Sequence, residues 1–358
     1  VYKRQGQGVR TTRAISIFER IGLGGGGKVK AVFHRMNALA EEAEFDPVVL
    51  NIHHGLRQKL NFEELRAQGV IAPRVRNLTL PEACHAAAMA HGVQPFSDFP
   101  QHDEVRKNKG RIQYFRNGMR VMVDKTEDTP LGVVTKRTVP DAEGSSQYRM
   151  VNGSLYQLTR KNPDGSTETT DYAHALPIRW TKTQGGAFVV GKNLITGTVY
   201  RRHRMFVKSL FELVDWEGAV VFFDGVTSAY LAEAAGGGRA LFLHADHRGP
   251  TGDIVPRSQY LIENFTGEAI ITSTNVHKAQ IEADLKPSAP VHVIPHFCET
   301  VPAAARTRRD LVTVSRLDLE GKPIHESIAA FCLIKHAFPE VHYHIYGVGA
   351  GREILEKQ

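Results

Sequence analysis

The sequence predicts an α/β protein of two Rossmann-like domains, the first carrying an inserted antiparallel β-meander and the second incomplete at its C-terminal end. Three observations predict this. From Arg13 to about His91, and again after Arg204, apolar runs alternate with stretches of helical periodicity, the pattern of a parallel sheet covered by helices. Between them, from Gln113 to Tyr200, the pattern switches to short period-2 runs with Tyr, Val and Thr, broken by turn residues. At the end, residues 311–357 read as one β-turn-α-β-turn-α unit. A chain of 358 residues is long enough for two domains. The boundaries read as 12–112 and 204–301 for the two parts of the first domain, 113–203 for the insertion and 310–358 for the start of the second domain.

RAISIFERIGL (13–23) is a strand running into a loop, and GLGGGGKVK (22–30) is a glycine loop. Val32, Met36, Leu39, Ala40 and Ala43 then recur at helical spacing. FDPVVLNI (45–52) is the next strand; helices are predicted over 60–72 and 81–91, with the short strand NLTL between them. In the insertion, Asn117-Gly118, Asn152-Gly153 and the Asn-Pro-Asp-Gly at 162–165 are hairpin and turn signals. After Arg204, FVKSLFELV is a helix, GAVVFFDGV a buried strand ending at Asp224, SAYLAEAAG a helix, and RALFLHADH a buried strand ending at His244. DIVPRSQYLIENF and NVHKAQIEADL read as helices, EAIITST and VHVIPHF as strands, and PAAARTRR (302–309) as a linker. The last unit opens on the β-branched run Leu311–Val314, turns at Ser315-Arg316 with Lys322 following, and continues as a helix from about His325 to His336. A second β run, Val341–Tyr346, ends in Gly347-Val348-Gly349, with a new helix near Arg352. Two strands are fewer than the five or six of a nucleotide-binding half, so the chain is expected to stop inside this domain.

A hydrophobic share of 42% and a charged share of 23% are those of a soluble globular protein. No apolar run approaches the ~20 residues that span a bilayer, and the first residues contain no apolar core of a signal peptide. Cys84, Cys298 and Cys332 are widely separated, which fits a reducing, cytoplasmic compartment and forms no metal ligand set. The net charge of +7 favours a polyanionic partner or the anionic inner face of a membrane, where the protein would be peripheral. The basic runs RKNKGR (106–111), RRHR (201–204) and RTRR (306–309) read as solvated loops. No nucleic-acid motif accompanies them, so nucleic acid is not an expected partner.

The string VSRLDLEGKPIHESIAAF…FPEVHYHIYGVGAGREIL resembles the opening of the nucleotide-sugar domain in family-4 retaining glycosyltransferases of the GT-B fold. GGGGKVKAVFHRMNALAEE and DGVTSAYL…FLHADHRGP fit the same family. With the β-meander, they resemble the branch containing wall teichoic acid α-glycosyltransferases and related bacterial protein O-N-acetylglucosaminyltransferases. The resemblance implies that Arg316 and Lys322 hold the donor diphosphate; they are six positions apart where five is usual, with Gly321 as the extra residue. It implies that His244 faces the donor sugar and the reaction centre. It further implies transfer of a hexose from a UDP-sugar to a hydroxyl, with UDP-sugar as co-substrate and no metal or other cofactor. The acceptor would be a polyanionic polyol-phosphate polymer or, alternatively, Ser/Thr of a bacterial surface protein. A non-catalytic partner subunit with this fold is a further alternative. The family's two downstream glutamates lie beyond Gln358, so this polypeptide is expected to be poorly active or inactive.

Other groups leave readings open. Gly22-x4-Gly27-Lys28 matches seven positions of a P-loop, but Val29 stands where Ser or Thr would bind Mg²⁺. The alternative is a side-chain-free loop before a helix, where Gly25, Gly26 and Gly27 bring backbone N–H groups to the donor. Gly347 and Gly349 would likewise let backbone pass close to the donor, or serve a plain strand-to-helix turn. His244, Asp246 and His247 form an HxDH cluster; without a distant partner such a loop rarely closes a metal site, so none is assigned. His53-His54 and His34-Arg35 read as acceptor-side groups or solvated pairs, and Asp224 as a rim residue or a plain Asp-Gly turn. The insertion's strand edges would pair in a homo-oligomer.

Overall fold

The computed structural model describes residues 11–19, 21, 27–108, 110–141, 144–225, 228–249, 251–296, 310–319 and 322–357. They divide between two compact units, Val1–Cys298 and Glu299–Gln358. Among the described residues, no helix is long and apolar enough to cross a membrane.

The first unit begins with β1 (Thr12–Phe18), α1 (Gly27–Glu41), β2 (Phe45–Asn51), α2 (Leu56–Ala67), β3 (Arg76–Thr79), α3 (Leu80–Ala83) and α4 (His85–Ala90). Ten strands follow, from β4 (Glu104–Asn108) to β13 (Val199–Tyr200). The α/β pattern then returns as α5 (His203–Phe211), β14 (Ala219–Asp224), a 3₁₀ turn at Ala229–Ala234, β15 (Gly238–Phe242), α6 (Pro256–Asn264), β16 (Ala269–Thr272), α7 (Asn275–Asp284) and β17 (Val291–Val293). The seven α/β strands form one parallel sheet in the order β17-β16-β15-β14-β1-β2-β3. Strand order reverses between β1 and β14, which opens a crevice at the carboxyl ends of those two strands.

The sheet forms because the last five residues of β1 and of β2 are buried and apolar but for Ser16 and Asn51, both of which are hydrogen-bonded. One face packs Ile15, Ile17, Leu50, Val221 and Phe223 into the main core. The other packs Phe18 and Val49 against Val32, Phe33, Met36 and Ala40 of α1. Each such side chain contributes about 1.5–3 kcal/mol by leaving water. Ala43, predicted on this helical face, is exposed beyond the helix end.

Several boundaries differ from the predicted ones. α2 stops at Ala67 rather than residue 72, because Gly69 adopts φ +74° and Val70 N–H closes back on the Leu65 carbonyl at 2.9 Å. The single helix predicted over 81–91 is two, broken at Cys84, and starts at Leu80 on a capping box of Thr79 and Glu82. SAYLAEAAG is 3₁₀ rather than α. β15 ends at Phe242, two residues before His244.

The inserted sheet is an antiparallel meander in the order β13 to β4. Asn117-Gly118 and Asn152-Gly153 have φ of +49°/+75° and +50°/+78°, the values a two-residue type I′ hairpin needs. The sheet begins at Glu104, earlier than the predicted Gln113. Hence Arg106–Asn108 and Arg111 of RKNKGR are strand rather than loop, and RRHR runs into α5; RTRR and the linker lie outside the described residues. β4 reads EVRKN with every residue exposed, so burial leaves no apolar signature there. Its charges, Arg106 and Glu104 paired with each other, are of the kind that discourage edge pairing.

The inner strands dock on the parallel sheet: Ala173, Leu176 and Ile178 join the main core. A buried polar seam lies beside them. Arg179 Nε donates to Asp171 Oδ2 at 2.7 Å, Gln157 Nε2 donates to Asp171 Oδ1 at 2.8 Å, and His54 Nε2 donates to the Tyr156 carbonyl at 3.1 Å. His54 stacks on Tyr156 at 4.0 Å and is buried, so it is neither an acceptor-side group nor a solvated one. Burial lowers its pKa from the ordinary value. The Tyr156 hydroxyl is buried without a hydrogen-bond partner. Tyr156→Phe therefore removes an unsatisfied group while keeping the stacked ring; stability is expected to stay level or rise by up to about 1 kcal/mol in urea unfolding. A clear loss would show that the hydroxyl is bonded.

The second unit contains β18 (Leu311–Val314), α8 (Ile324–Lys335), β19 (Tyr343–Tyr346) and α9 (Arg352–Leu355). β18 and β19 pair in parallel, Leu311 opposite Tyr343 and Val314 opposite Tyr346. α8 is apolar on most of its faces, yet Leu333 is 81% exposed.

Candidate functional site

In the second unit the two loops at the carboxyl ends of the strands are zipped together. Ser315 N–H donates to Tyr346 O at 3.0 Å, Leu317 N–H to Val348 O at 3.0 Å, and Gly351 N–H to Leu317 O at 2.9 Å. This brings Gly347 against the Ser315 carbonyl and Gly349 against the Leu317 backbone, with no room for a Cβ at either. Gly349→Ala is expected to destabilise this unit by about 1–3 kcal/mol, because backbone rather than a side-chain tip must move. Hydrogen exchange at Ser315 and Leu317 reads the effect; unchanged protection would contradict the tight approach.

Beside the zipped loops lies a depression of about 410 Å³ lined by Arg316, Leu317, Asp318, Gly349, Gly351 and Ile354 among others. The Arg316 side chain is 72% exposed, with Asp318 3.9 Å from its guanidinium. Lys322 is exposed and its N–H donates to the Asp318 carbonyl at 2.8 Å. Its side chain is not part of the depression's lining. Of the two predicted diphosphate residues, Arg316 is on this site and Lys322 borders its loop.

In the first unit, His244 sits past the end of β15, near the sheet's crevice. Its side chain is 7% exposed and stacks with Phe242 at 4.7 Å and His296 at 5.4 Å. Its Nε2 donates to Asp224 Oδ1 at 2.7 Å. The other carboxylate oxygen accepts from Arg35 at 2.6 Å and from the Ser16 hydroxyl. Burial pushes the Asp224 carboxyl up, but the Arg35 guanidinium and the His244 hydrogen bond outweigh it and hold its pKa at about 2. Burial and the neighbouring His244 lower the pKa of His296.

With Nε2 fixed on Asp224, His244 Nδ1 is buried and without a partner. The residue lines a cavity of about 200 Å³ together with Lys28, Gly225, Asp246, His247 and Ser258. Lys28 stands in the second position of α1, at the end of the glycine loop; Gly27 opens the helix, and Gly25 and Gly26 lie outside the described residues. The arrangement presents an oriented imidazole and an ammonium to a small polar ligand.

Sequence reasoning undervalued Asp224 and Arg35. An Asp-Gly at a strand end looks like a turn, and Arg35 lies 189 residues from its carboxylate. The signal available was position: Asp224 ends the strand beside the topological switch.

The HxDH loop also gains what it lacked. His277 of α7, its N–H capped by Thr274 Oγ1 at 3.1 Å, stacks on His247 at 5.4 Å. Asp246, His247 and His277 place one ligand atom each within 4.8 Å of one another, the only such group among the described residues.

No family model matches the chain, and no curated protein matches it. Solved structures do. Over 97% of this chain and 73% of the other, it is similar to TarM with a TM-score of 0.71 at 15% identity. It is similar to a variant of S. aureus TarM in complex with Fondaparinux, alpha-GlcNAc-glycerol and UDP, with a TM-score of 0.66, 14% identity and 97% and 74% coverage. It is also similar to the pneumococcal O-GlcNAc transferase GtfA in complex with UDP and GlcNAc, with a TM-score of 0.58, 16% identity and 97% and 73% coverage. The chain thus shares the GT-B fold of these glycosyltransferases across nearly its whole length, antiparallel insertion included.

Proposed function

We propose that the protein is a retaining hexosyltransferase that moves a sugar from a UDP-sugar to a hydroxyl of a polyol-phosphate polymer of the wall teichoic acid type. The observation that carries this reading is the zipped loop pair of the second unit, with Arg316 lining the depression beside it. In the reaction the bond between the anomeric carbon and the diphosphate breaks, and the bond to the acceptor oxygen forms on the same face. Negative charge builds on the departing diphosphate. Arg316 and Lys322 stabilise it as fixed cations, and N–H groups beside Gly347 and Gly349 add donors. A diphosphate oxygen takes the acceptor's proton, so no carboxylate nucleophile is required. The family resemblance assigns His244, held by Asp224, to the donor sugar and the glycines Gly25, Gly26 and Gly27 to its anion. No step needs a metal.

The solved TarM variant with UDP and alpha-GlcNAc-glycerol supports a nucleotide donor and a polyol acceptor. The net charge of +7 suits a polyanionic acceptor at the inner membrane face of the cytoplasm, and described cysteines Cys84 and Cys332 are free thiols, as a reducing compartment requires. The likeness to GtfA favours one second reading, Ser/Thr of a surface protein as acceptor. The test is UDP binding by the chain, together with UDP release by the chain and by a version extended to the length of its solved relatives. Poly(glycerol phosphate), poly(ribitol phosphate) and a Ser-rich peptide are offered in parallel. Release with a polyol phosphate supports the first reading and release with the peptide alone the second. UDP binding without release to any acceptor supports a non-catalytic partner, and no UDP binding by either version would refute all three.

A further inference from the structure

We infer that Asp246, His247 and His277 form a binding site for one divalent transition-metal ion of the zinc class, which fastens the loop carrying His244 to helix α7. The ligand atoms are close enough to converge on one ion. In a tetrahedral site with metal–ligand bonds of about 2.0–2.1 Å, ligand atoms lie about 3.3 Å apart. His247 Nδ1 is 3.2 Å from Asp246 Oδ1, and His277 Nε2 is 3.9 Å from the same oxygen. All three ligand atoms lie within 4.8 Å of one another, so closing on one ion draws them together by at most about 1.5 Å, a rotamer adjustment of the exposed Asp246 and of His277. The rings of His247 and His277 stack within 14° of parallel.

Two buried, unpartnered nitrogens point to a ligand. His247 has a fully buried side chain, and its Nδ1 makes no hydrogen bond; His277, with its side chain 12% exposed, leaves Nε2 unbonded as well. The tautomer of His247 is set from behind. Its Nε2 donates to Asp284 Oδ2 at 2.8 Å, and Asp284 is itself held by Arg248 through two bonds of 2.7 Å. That is the carboxylate–histidine pair that commonly supports a metal ligand. In this tautomer Nδ1 is left as an unprotonated acceptor 3.2 Å from a carboxylate oxygen with no hydrogen bond between them, and a cation is the partner both can share. Two imidazoles and one carboxylate suit Zn²⁺, Co²⁺ or Ni²⁺ rather than Mg²⁺ or Ca²⁺. Asp246 and His247 also line the His244 cavity, so the fourth position opens to water there. The ion cross-links residues 30 positions apart and fixes the loop beside His244; it takes no part in the transfer proposed above.

The experiment is metal titration of the intact chain after chelator stripping, with Zn²⁺ for stoichiometry and Co²⁺ for its visible spectrum. One ion per chain is expected, with the intense visible bands of four-coordinate cobalt and a rise in unfolding temperature on adding Zn²⁺. Asp246→Asn and His277→Gln should each weaken binding about 10²-fold or more and abolish the thermal rise, and Asp284→Asn should weaken it about 10–100-fold. Asp246 is 53% exposed, so its variant keeps the fold and isolates the ligand effect. No bound ion would overturn the site. Binding unchanged in both Asp246→Asn and His277→Gln would overturn it equally, by placing the ion on other histidines.

Discussion

If the proposed sugar transfer holds, replacing Arg316 by Ala is expected to lower its rate by about 10² or more, close to 2.7 kcal/mol of transition-state stabilisation. The magnitude follows from where the charge changes. In the bound donor the diphosphate is already anionic, so part of the guanidinium's attraction is present before reaction and appears in KM. As the glycosidic bond breaks, one further unit of negative charge moves onto the diphosphate, and a cation already in place stabilises it without reorganising. The loss therefore falls mainly on kcat. Arg316→Lys keeps the charge but loses the planar fork that pairs with two phosphate oxygens, so it should recover only part of the rate. Lys322→Ala should cost less, because Lys322 is outside the lining of the depression. The measurement is steady-state UDP release in a version that turns over. A near-normal kcat for Arg316→Ala would end the glycosyltransferase reading of this loop.

Much of the fold was legible because its signals are local. β1, β2 and β14 carry apolar residues on both faces, with Ser16, Asn51 and Asp224 as buried exceptions, and a covered parallel sheet accommodates that. The Asn-Gly pairs at 117–118 and 152–153 announce hairpins because few residues tolerate two consecutive positive φ angles. β4 was not legible: EVRKN is held by its ladder to the next strand, not by burial, so no alternation marks it. The break at Cys84 was hidden because the residues around it favour helix on either side. His244 and Arg316 are proposed through resemblance, and the local sequence around each carries the match. Their supports were not legible, since they come from distant elements. Asp224 is fixed by Ser16 and Arg35, 208 and 189 positions away, and His247 meets His277 only when α7 packs beside the loop. A single sequence displays what neighbours along the chain do; pairing across a sheet becomes visible only in three dimensions.

Asp224→Asn is expected to destabilise the first unit by about 3–5 kcal/mol at neutral pH, since it leaves the guanidinium of Arg35 half-buried with its anion removed. Asp224 is fully buried and joins three elements: Ser16 on β1, Arg35 on α1 and His244 after β15. The Asn amide can accept from one of these partners but carries no charge, and its NH2 group turns a donor toward another. As compensation Arg35 retains its hydrogen bond to the Ser16 hydroxyl at 3.0 Å and its stacking on Phe222 and Phe242 at 4.5 Å and 5.1 Å, none of which supplies a counter-charge. The pH dependence has a definite sign. A carboxyl whose pKa falls from 3.8 to about 2 on folding contributes stability that is fully present above pH 3.8 and is lost as pH falls toward 2. That contribution is roughly 2 kcal/mol, so the wild-type and variant unfolding curves should approach each other across this acidic window and stay parallel above it. Both tryptophans, Trp180 and Trp216, belong to the first unit, so their fluorescence in urea follows this unit alone. Equal midpoints at pH 7 would mean that Arg35 finds another anion or water on losing Asp224. His244 would then lack the fixed orientation that the proposed role beside the donor calls for.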